Sequence, residues 1–282
     1  SDPEKQRAAF VAHRSNAGFR ALFSHTPLYA IWDDHDFGPD NSDGTLPGKE
    51  KSLATFKEFF ANPGYGEPDN PGVYYKFSRG DVDFFMLDGR YYRTPDKAPN
   101  DENKTMLGAK QLEWLKRELL ASKAAVRVIA AGSEWQSHST EDCWSSFGHE
   151  RRAILEFLQE HDMRNVLLLS GDRHFTAGYQ VEGRFIEVTS GPLGSPNAPP
   201  SVTGEMFTLH DHGKMVCVFD IDTKADPPAV KLEIYEAGTG LVETRKFKWE
   251  EITGDAKIPV LAEDFQTPDM RAKAAASKTK TK

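Results

Sequence analysis

The sequence has no run of about 18 apolar residues, so no segment of it can span a bilayer as a helix. It also has no N-terminal stretch with the pattern of a signal peptide. Cysteine is scarce: Cys143 and Cys217 form no Cys-x-x-Cys pair, and the sequence leaves open whether they are separate thiols or one disulfide. There is no basic cluster outside the extreme C-terminus, and the net charge is -8. The lack of a basic cluster and the negative net charge argue against broad nucleic-acid binding. A local positive spot for one phosphate remains compatible with both.

The composition is that of an ordinary globular protein. The chain has 282 residues, of which 38% are hydrophobic and 28% charged, enough to bury the core of one large domain. We expect a domain over residues 1–262 and a mostly disordered tail over 263–282, where Ala, Ser, Thr and Lys dominate. Because the sequence begins at Ser1 rather than Met, we expect it to be a fragment or a processed product.

Four apolar segments end abruptly in polar residues, at 27–32, 82–87, 126–131 and 166–170. Segments with apolar residues at helical spacing lie between them, at 52–61, 108–120 and 149–160. Nearly all-apolar strands that alternate with helices predict an α/β sheet covered on both faces. In such sheets ligands bind beyond the carboxyl ends of the strands, which is where the four polar clusters fall.

The C-terminal third has a different pattern. A Pro/Gly-rich stretch at 191–201 predicts an irregular loop over or beside this crevice. Alternating segments at 215–221, 229–235 and 242–249, with Gly238 and Gly240 at a turn, predict β-hairpins.

The cluster Asp-Asp-His-Asp at residues 33–36 is the strongest chemical signal. Three carboxylates and an imidazole so close together repel one another unless a cation or several donors compensate them, and they are ordinary metal ligands. We predict Asp34 as a metal ligand and a separate role for His35, since neighbours at a strand end point to opposite sides. The alternative is a loop whose acidic residues only cap a helix or form turns. The nearby residues Asn41–Glu50 partly match a calcium-binding EF-hand loop, but the first ligand position falls on Pro39, which has no side-chain oxygen.

The second cluster, Gly-Asp-Arg-His at residues 171–174, follows the most apolar strand. Asp172 and His174 are two positions apart, so both can face one centre as metal ligands, whereas Arg173 is a candidate for a phosphate oxygen or for a salt bridge. Arg90, after the strand at 82–87, is a candidate phosphate clamp or a residue that orients the acidic cluster. After the strand at 126–131, the sequence has Glu134, Gln136 and His138 as further polar candidates, each expected to support the site rather than bind the metal.

These motifs, with the Leu-Asp-Gly-Arg-Tyr-Tyr-Arg segment at 87–93, resemble the PhoD-type alkaline phosphatases, a branch of the calcineurin-like metallophosphoesterases. The resemblance covers about residues 20–250. It implies a four-layer α/β/β/α sandwich, here incomplete at the N-terminus, because the family's earlier metal-binding motif has no counterpart in this sequence. It also implies a centre of two or more metals, iron and calcium, with Asp34, Asp172 and His174 as ligands. His35, Arg90 and Arg173 then serve catalysis.

The function expected from the resemblance is metal-dependent hydrolysis of small phosphomonoesters or phosphodiesters in the periplasm or outside the cell. The ligand types alone fit manganese or zinc as well as iron and calcium. The alternative function is that of a truncated or degenerate domain that binds cations without catalysis. A serine hydrolase is disfavoured, since the sequence has no Gly-x-Ser-x-Gly motif.

Overall fold

The computed structural model describes residues 2–136, 142–198 and 206–261. Helices and strands alternate through the first two thirds, and strands dominate afterwards. The α-helices are α1 Pro3–Ser15, α2 Ala17–Phe23, α3 Asp34–Phe37, α4 Lys49–Phe59, α5 Ala109–Ala121, α6 Gly148–Glu160 and α7 Trp249–Ile252, and a 3-10 helix spans Trp144–Phe147. The strands are β1 Gly66–Glu67, β2 Asn70–Pro71, β3 Tyr75–Arg79, β4 Val82–Met86, β5 Val126–Ala130, β6 Val166–Ser170, β7 Thr176–Val181, β8 Phe185–Thr189, β9 Met206–His210, β10 Met215–Asp222, β11 Ala229–Glu236 and β12 Gly240–Phe247.

One mixed sheet of seven strands forms the centre of the fold, in the order β3-β4-β5-β6-β8-β7-β9. Strands β4, β5, β6 and β8 are parallel neighbours, whereas β3, β7 and β9 pair antiparallel. A second, antiparallel sheet has the order β10-β11-β12. The parallel strands bring the segments that follow β4, β5 and β6 to the same edge of the large sheet.

Two apolar cores cover the two faces of the large sheet. On one face, the apolar sides of α5 and α6 pack on the sheet through residues such as Leu115, Leu155 and Leu168. On the other face, the small sheet packs on the large one. Leu232 and Ile234 of the small sheet lie in one apolar cluster with residues of the large sheet. Each fully buried side chain of this size contributes about 1.5–3 kcal/mol, so the burial on both faces fixes the strands that carry the site.

The described residues supply three layers, in the order α/β/β. The outer face of the small sheet carries exposed apolar side chains, among them Val216, Val218 and Leu241. The α/β architecture and the sheet-on-sheet packing expected from the sequence are confirmed, and a helical layer over the small sheet is not formed by residues 2–136, 142–198 and 206–261.

A third apolar cluster holds the N-terminal helices against the acidic motif. Phe10 of α1 and Phe56 of α4 pack with Trp32, Phe37 and Tyr91. Trp32 and Phe37 flank the 33–36 cluster on either side, so this packing fixes the backbone of the motif at both ends.

The predicted segments differ in how well they match the structure. The apolar segments at 82–87, 126–131 and 166–170 are strands β4, β5 and β6, and the predicted helices and hairpins are present with shifts of a few residues at their ends. The prediction of a strand at 27–32 is wrong: the backbone of Ala30 is hydrogen-bonded at both N–H and C=O to the side-chain amide of Asn62, and it does not join a sheet. Strands β1, β2, β3, β7, β8 and β9 were not predicted. The tail at 263–282 lies outside the described residues.

Two further expectations concern the cysteines and the membrane. Cys143 is buried with its Sγ 2.9 Å from Ser145 Oγ, and no disulfide joins it to Cys217. Among the helices that the structure describes, none combines the length and apolar character needed to cross a bilayer.

Candidate functional site

The three parallel strand ends are tied together by backbone hydrogen bonds. The N–H of Leu87, after β4, donates to Ala130 O (2.9 Å), and the N–H of Ala131, after β5, donates to Leu169 O (2.9 Å). One residue further, Gly171 N donates to Gly132 O (3.0 Å). The segments that follow the strands therefore start from a rigid edge.

The Asp-Asp-His-Asp motif reaches this edge from a loop and a short helix. Trp32 is buried, and its indole N–H donates to Asp88 Oδ1 over 2.7 Å, which ties the loop to the segment after β4. Asp33 is the N-cap of α3, and its backbone N–H donates to Asp36 Oδ2 over 3.4 Å. A helix start, rather than a strand end, lets the adjacent residues Asp33 and Asp34 face the same centre.

Three carboxylates converge at this edge. Asp33, Asp34 and Asp172 each offer an oxygen atom, and these atoms lie within 4.8 Å of one another. Asp172 has a φ of 72°, a left-handed conformation that is uncommon outside glycine and that turns its side chain after β6. The structure thus brings together Asp34 and Asp172, both predicted ligands, although 137 residues lie between them in the sequence.

The environment of these carboxylates fits a cation. The Oδ2 atom of Asp33 is buried and has no hydrogen-bond partner among the described residues. Burial and the neighbouring charge of Asp33 raise the pKa of Asp172 to about 8, and burial raises the pKa of Asp33 despite its contact with Arg90. A cation at the centre would remove the repulsion that raises these pKa values and would also bind the unpartnered oxygen.

A second acidic group shares Asp34. Ligand atoms of Asp34, His35 and Asp40 also lie within 4.8 Å of one another. The side chain of His35 is 74% exposed, with Nε2 3.5 Å from Asp40 Oδ1, so its ring faces solvent beside the carboxylate centre. His35 is therefore open to a molecule bound at that centre.

The two arginines predicted to contact phosphate are already bound to carboxylates. Arg90 is fully buried, with Nε 2.5 Å from Asp33 Oδ1 and Nη2 2.9 Å from Asp142 Oδ2. Arg173 lies with Nη2 2.6 Å from Asp172 Oδ2 and Nε 2.9 Å from Glu134 Oε2. For both residues, these contacts favour the role of a counter-charge for the acidic cluster over that of a phosphate contact. The salt bridges of Arg173 lie largely below the surface.

Two of the sequence candidates lie outside the acidic groups or outside the described ranges. His174 has a φ of 58° and its backbone oxygen accepts from Ala198 N (3.2 Å), but its side chain belongs to neither acidic group. Its role as a ligand stays a prediction. The contact with Ala198 places the described part of the Pro/Gly-rich loop beside the site, as expected. His138 lies outside the described residues.

Several residues that shape the site were not singled out from the sequence. Asp88 is fully buried, and its carboxylate accepts from Trp32 Nε1 and from the backbone N–H groups of Val73, Arg90 and Tyr91. The Asp88-Gly89 pair directly after a strand was a usable signal for this turn. Asp142 had no such signal, because it precedes no periodic segment and its partners are remote in sequence.

Gly132 is a positioning point for Asp33. A Cβ atom at residue 132 would lie 2.7 Å from Asp33 Cγ and Oδ1, whereas a Cβ at Gly171 would find its nearest neighbour at 3.8 Å. We expect Gly132→Ala to displace the Asp33 carboxylate and to weaken Mn²⁺ binding at this cluster about 10- to 100-fold without unfolding the protein. Calorimetric titration with Mn²⁺ and a thermal unfolding curve check this. Gly171→Ala is the matched control and should stay close to wild type; equal losses in both variants would argue against this role of Gly132.

Glu187 of β8 fixes the segment after β5. Its carboxylate accepts from Trp135 N and Ser170 Oγ with one oxygen and from Gln136 N with the other. Burial, followed by the charge of Glu134, raises its pKa from 4.5 to about 7. The folded protein therefore holds a proton at Glu187 that the unfolded chain releases near pH 4.5.

This difference predicts a pH-dependent stability. Between about pH 4.5 and 7 the folded state binds more protons than the unfolded state, so stability should fall as the pH rises through this window. The full effect of this shift is on the order of 3 kcal/mol. Urea unfolding of chelator-treated wild type and Glu187→Gln at pH 5 and pH 8 measures it. The variant should lose less stability than wild type over this interval, and equal losses would show that Glu187 does not titrate there.

Together, the parallel sheet and the carboxylates at its edge define an α/β protein with an acidic cluster whose geometry fits a cation. The chain belongs to the PhoD-like phosphatase family, whose sequence pattern matches residues 3–251. It is 27% identical over 230 residues to alkaline phosphatase D of Bacillus subtilis (strain 168), an alignment that covers 70% of this chain and 39% of that protein.

The solved structures support the same fold. A structure of PhoD superposes with a TM-score of 0.60 at 19% identity, and the match covers 83% of this chain and 57% of the other. The chain thus spans 39% of the curated relative and 57% of the solved one. The resemblance read from the motifs is confirmed by the family match.

Proposed function

We propose that this chain carries the site of a metal-dependent phosphoesterase that hydrolyses small phosphomonoesters or phosphodiesters. The observation that carries the proposal is the convergence of Asp33, Asp34 and Asp172 within 4.8 Å, with a buried oxygen of Asp33 left without a hydrogen bond. The family match supports phosphoester hydrolysis as the reaction. An extracytoplasmic location remains part of the proposal and rests on the family resemblance alone.

The chain's own residues have distinct roles in this proposal. Asp34 and Asp172 bind the metal, Asp33 joins them, and His174 is a further ligand predicted from the sequence. Arg90 and Arg173 hold Asp33 and Asp172 in place through salt bridges of 2.5 and 2.6 Å. His35, exposed beside the centre, donates a proton to the leaving oxygen of the substrate.

Bound metal ions would supply charge stabilisation for the phosphoryl oxygens and a water of lowered pKa. The donor set of the acidic groups is mainly carboxylate, which suits calcium, manganese and iron, and the imidazole of His174 would suit iron or zinc. Iron with calcium is the pair we propose, on the resemblance of the motifs. The sharing of Asp34 between two acidic groups supports a centre with more than one ion.

The alternative function is cation binding without catalysis. The chain spans 39% of the length of its curated relative. Whole-protein activity is therefore a proposal for this chain, and the two functions are separated by the same experiment.

That experiment measures hydrolysis of p-nitrophenyl phosphate and bis-p-nitrophenyl phosphate. Chelator-treated protein is compared with protein restored with iron plus calcium, or with manganese. The proposal predicts hydrolysis that appears with metal and is lost in Asp34→Asn. Metal binding with no hydrolysis of either ester would identify the non-catalytic function, and hydrolysis that resists chelation would reject the metal-dependent mechanism.

A further inference from the structure

Asp142 is a buried carboxylate held on a rigid support. Its side chain is 8% exposed, and two residues later Trp144 N donates to Glu134 O over 3.0 Å. The ring of Trp144 stacks on Trp135 with centroids 4.1 Å apart. The packing behind the β5 edge therefore supports the segment that carries Asp142.

Three arginines from two different segments converge on this residue. Arg90 Nη2 lies 2.9 Å from Asp142 Oδ2, and Arg93 Nη2 lies 2.5 Å from Asp142 Oδ1. Arg173 Nη2 donates to the backbone oxygen of Asp142. Both carboxylate oxygens and the carbonyl oxygen are thus used by guanidinium groups.

Two of these arginines end on the carboxylates of the cation centre. Arg90 contacts Asp33, and Arg173 contacts Asp172. Asp142 is therefore linked through one arginine to each of these two carboxylates, although it belongs to neither acidic group. The fork of a guanidinium has a fixed shape, so anchoring one arm fixes the direction of the other.

We propose that Asp142 is a positioning residue for the metal centre: its carboxylate keeps Arg90 directed at one oxygen of Asp33, and its backbone oxygen holds Arg173 beside Asp172. This inference rests on the proposed function. With Asp142 present, Arg90 contacts only one of the two Asp33 carboxylate oxygens, Oδ1. The other oxygen, Oδ2, has no hydrogen bond among the described residues. Without the Asp142 carboxylate, the freed arm of Arg90 would turn to the other oxygen of its remaining partner, Asp33 Oδ2, and compete with the cation for it.

Asp96 offers a matched control. It binds the same Arg93, with Nη2 at 2.5 Å from Oδ1, and its side chain is 15% exposed, but it has no contact with Arg90 or Arg173 in the described structure. Asp96→Asn and Asp142→Asn therefore each remove one carboxylate charge from Arg93. Only the second also releases the arm of Arg90, which reaches the cation centre, whereas the contact of Arg173 with the backbone oxygen of residue 142 stays in both variants.

The test is calorimetric titration of chelator-treated full chain with Mn²⁺ alone, at constant pH. Asp142→Asn should raise the Kd for Mn²⁺ about 10- to 100-fold, the range typical of residues that orient metal ligands, whereas Asp96→Asn should stay within about threefold of wild type. An unchanged Kd in Asp142→Asn would overturn the inference and leave the proposed function standing. Equal weakening in both variants would also overturn it, because the loss would then follow from Arg93.

Two further outcomes are distinguishable. If wild type binds no Mn²⁺, the proposed function fails and the inference fails with it. If Asp142→Asn does not fold, Asp142→Glu keeps the charge but moves the carboxylate by one methylene. This variant should weaken Mn²⁺ binding by a smaller factor, and a folded Asp142→Glu with wild-type affinity would overturn the inference.

Discussion

Asp172→Asn should abolish metal-dependent hydrolysis and at the same time make the metal-free protein more stable. Loss of a ligand from the proposed centre removes several kcal/mol of stabilisation from the transition state, so we expect the rate to fall at least about a thousandfold. Stability should change in the opposite direction, because Asp172 is one of three carboxylates within 4.8 Å of each other.

The size of the stability gain follows from the burial of the Asp172 carboxylate and from its repulsion by Asp33. Burial and Asp33 raise the pKa of Asp172 from 3.8 to about 8, so the folded state disfavours its ionised form at neutral pH. A neutral amide of the same shape removes this penalty but also loses the salt bridge to Arg173. We expect a net increase in unfolding free energy on the order of 2 kcal/mol at pH 7 in the presence of chelator.

Urea unfolding with chelator and initial rates with restored metal measure the two effects. Asp220→Asn is the control, since Asp220 lies on the small sheet with a 65% exposed side chain and pairs with Lys231. It should change neither quantity appreciably. An Asp172→Asn variant that keeps its rate, or that is less stable than wild type without metal, would contradict the assignment of a repulsive cation centre.

Arg90→Met should destabilise the fold by about 3–5 kcal/mol, because removing one partner of a buried ion pair leaves uncompensated charge. Arg90 is fully buried and compensates two carboxylates, Asp33 at 2.5 Å and Asp142 at 2.9 Å. The apolar stem of methionine fills part of the space, so the loss reflects mainly the charges left behind.

Equilibrium unfolding of single and double variants tests this reason. Combining Arg90→Met with Asp33→Asn removes both members of the closest pair, so the double variant should be less destabilised than the sum of the two single variants. Arg164→Met is the exposed comparison, since Arg164 is 46% exposed and its pairs with Asp162 and Asp255 lie at the surface. It should cost about 1 kcal/mol or less. A loss of that size for Arg90→Met would show that the buried network is not held by charge.

Much of the sheet edge that carries the carboxylates could be predicted from local sequence. Each of the segments 82–87, 126–131 and 166–170 is apolar throughout and then abruptly polar, and this pattern is what a central parallel strand requires. The three strands pair in parallel, so their ends had to meet at one edge. For that reason Asp172 could be placed near the site before any geometry was known.

The segment at 27–32 has the same pattern but a different structure. Trp32 is buried against aromatic residues of α1 and α4, and Ala30 and Ile31 are partly buried in the same cluster, whereas Tyr29 is exposed. Its backbone is satisfied in part by the side chain of Asn62, a pairing that no periodicity indicates. Apolar content reports burial, and it does not tell whether the backbone pairs in a sheet.

The partners of charged residues were the least predictable feature of the site. Arg90 and Arg173 are each surrounded in sequence by other polar residues, and nothing local indicates that both turn toward Asp142. Such contacts depend on how separate loops pack, so the sequence could offer Arg90 as a clamp or as an orienting residue but could not choose between them. The family match describes the fold and leaves these side-chain roles to experiment.

The most direct measurement of the central claim is anomalous diffraction from crystals of the full chain soaked in Mn²⁺. The account predicts an anomalous peak at the carboxyl edge of the large sheet, with oxygens of Asp34 and Asp172 about 2.0–2.3 Å from it. Well-ordered crystals with no peak between these two carboxylates, or with peaks at surface residues alone, would contradict it.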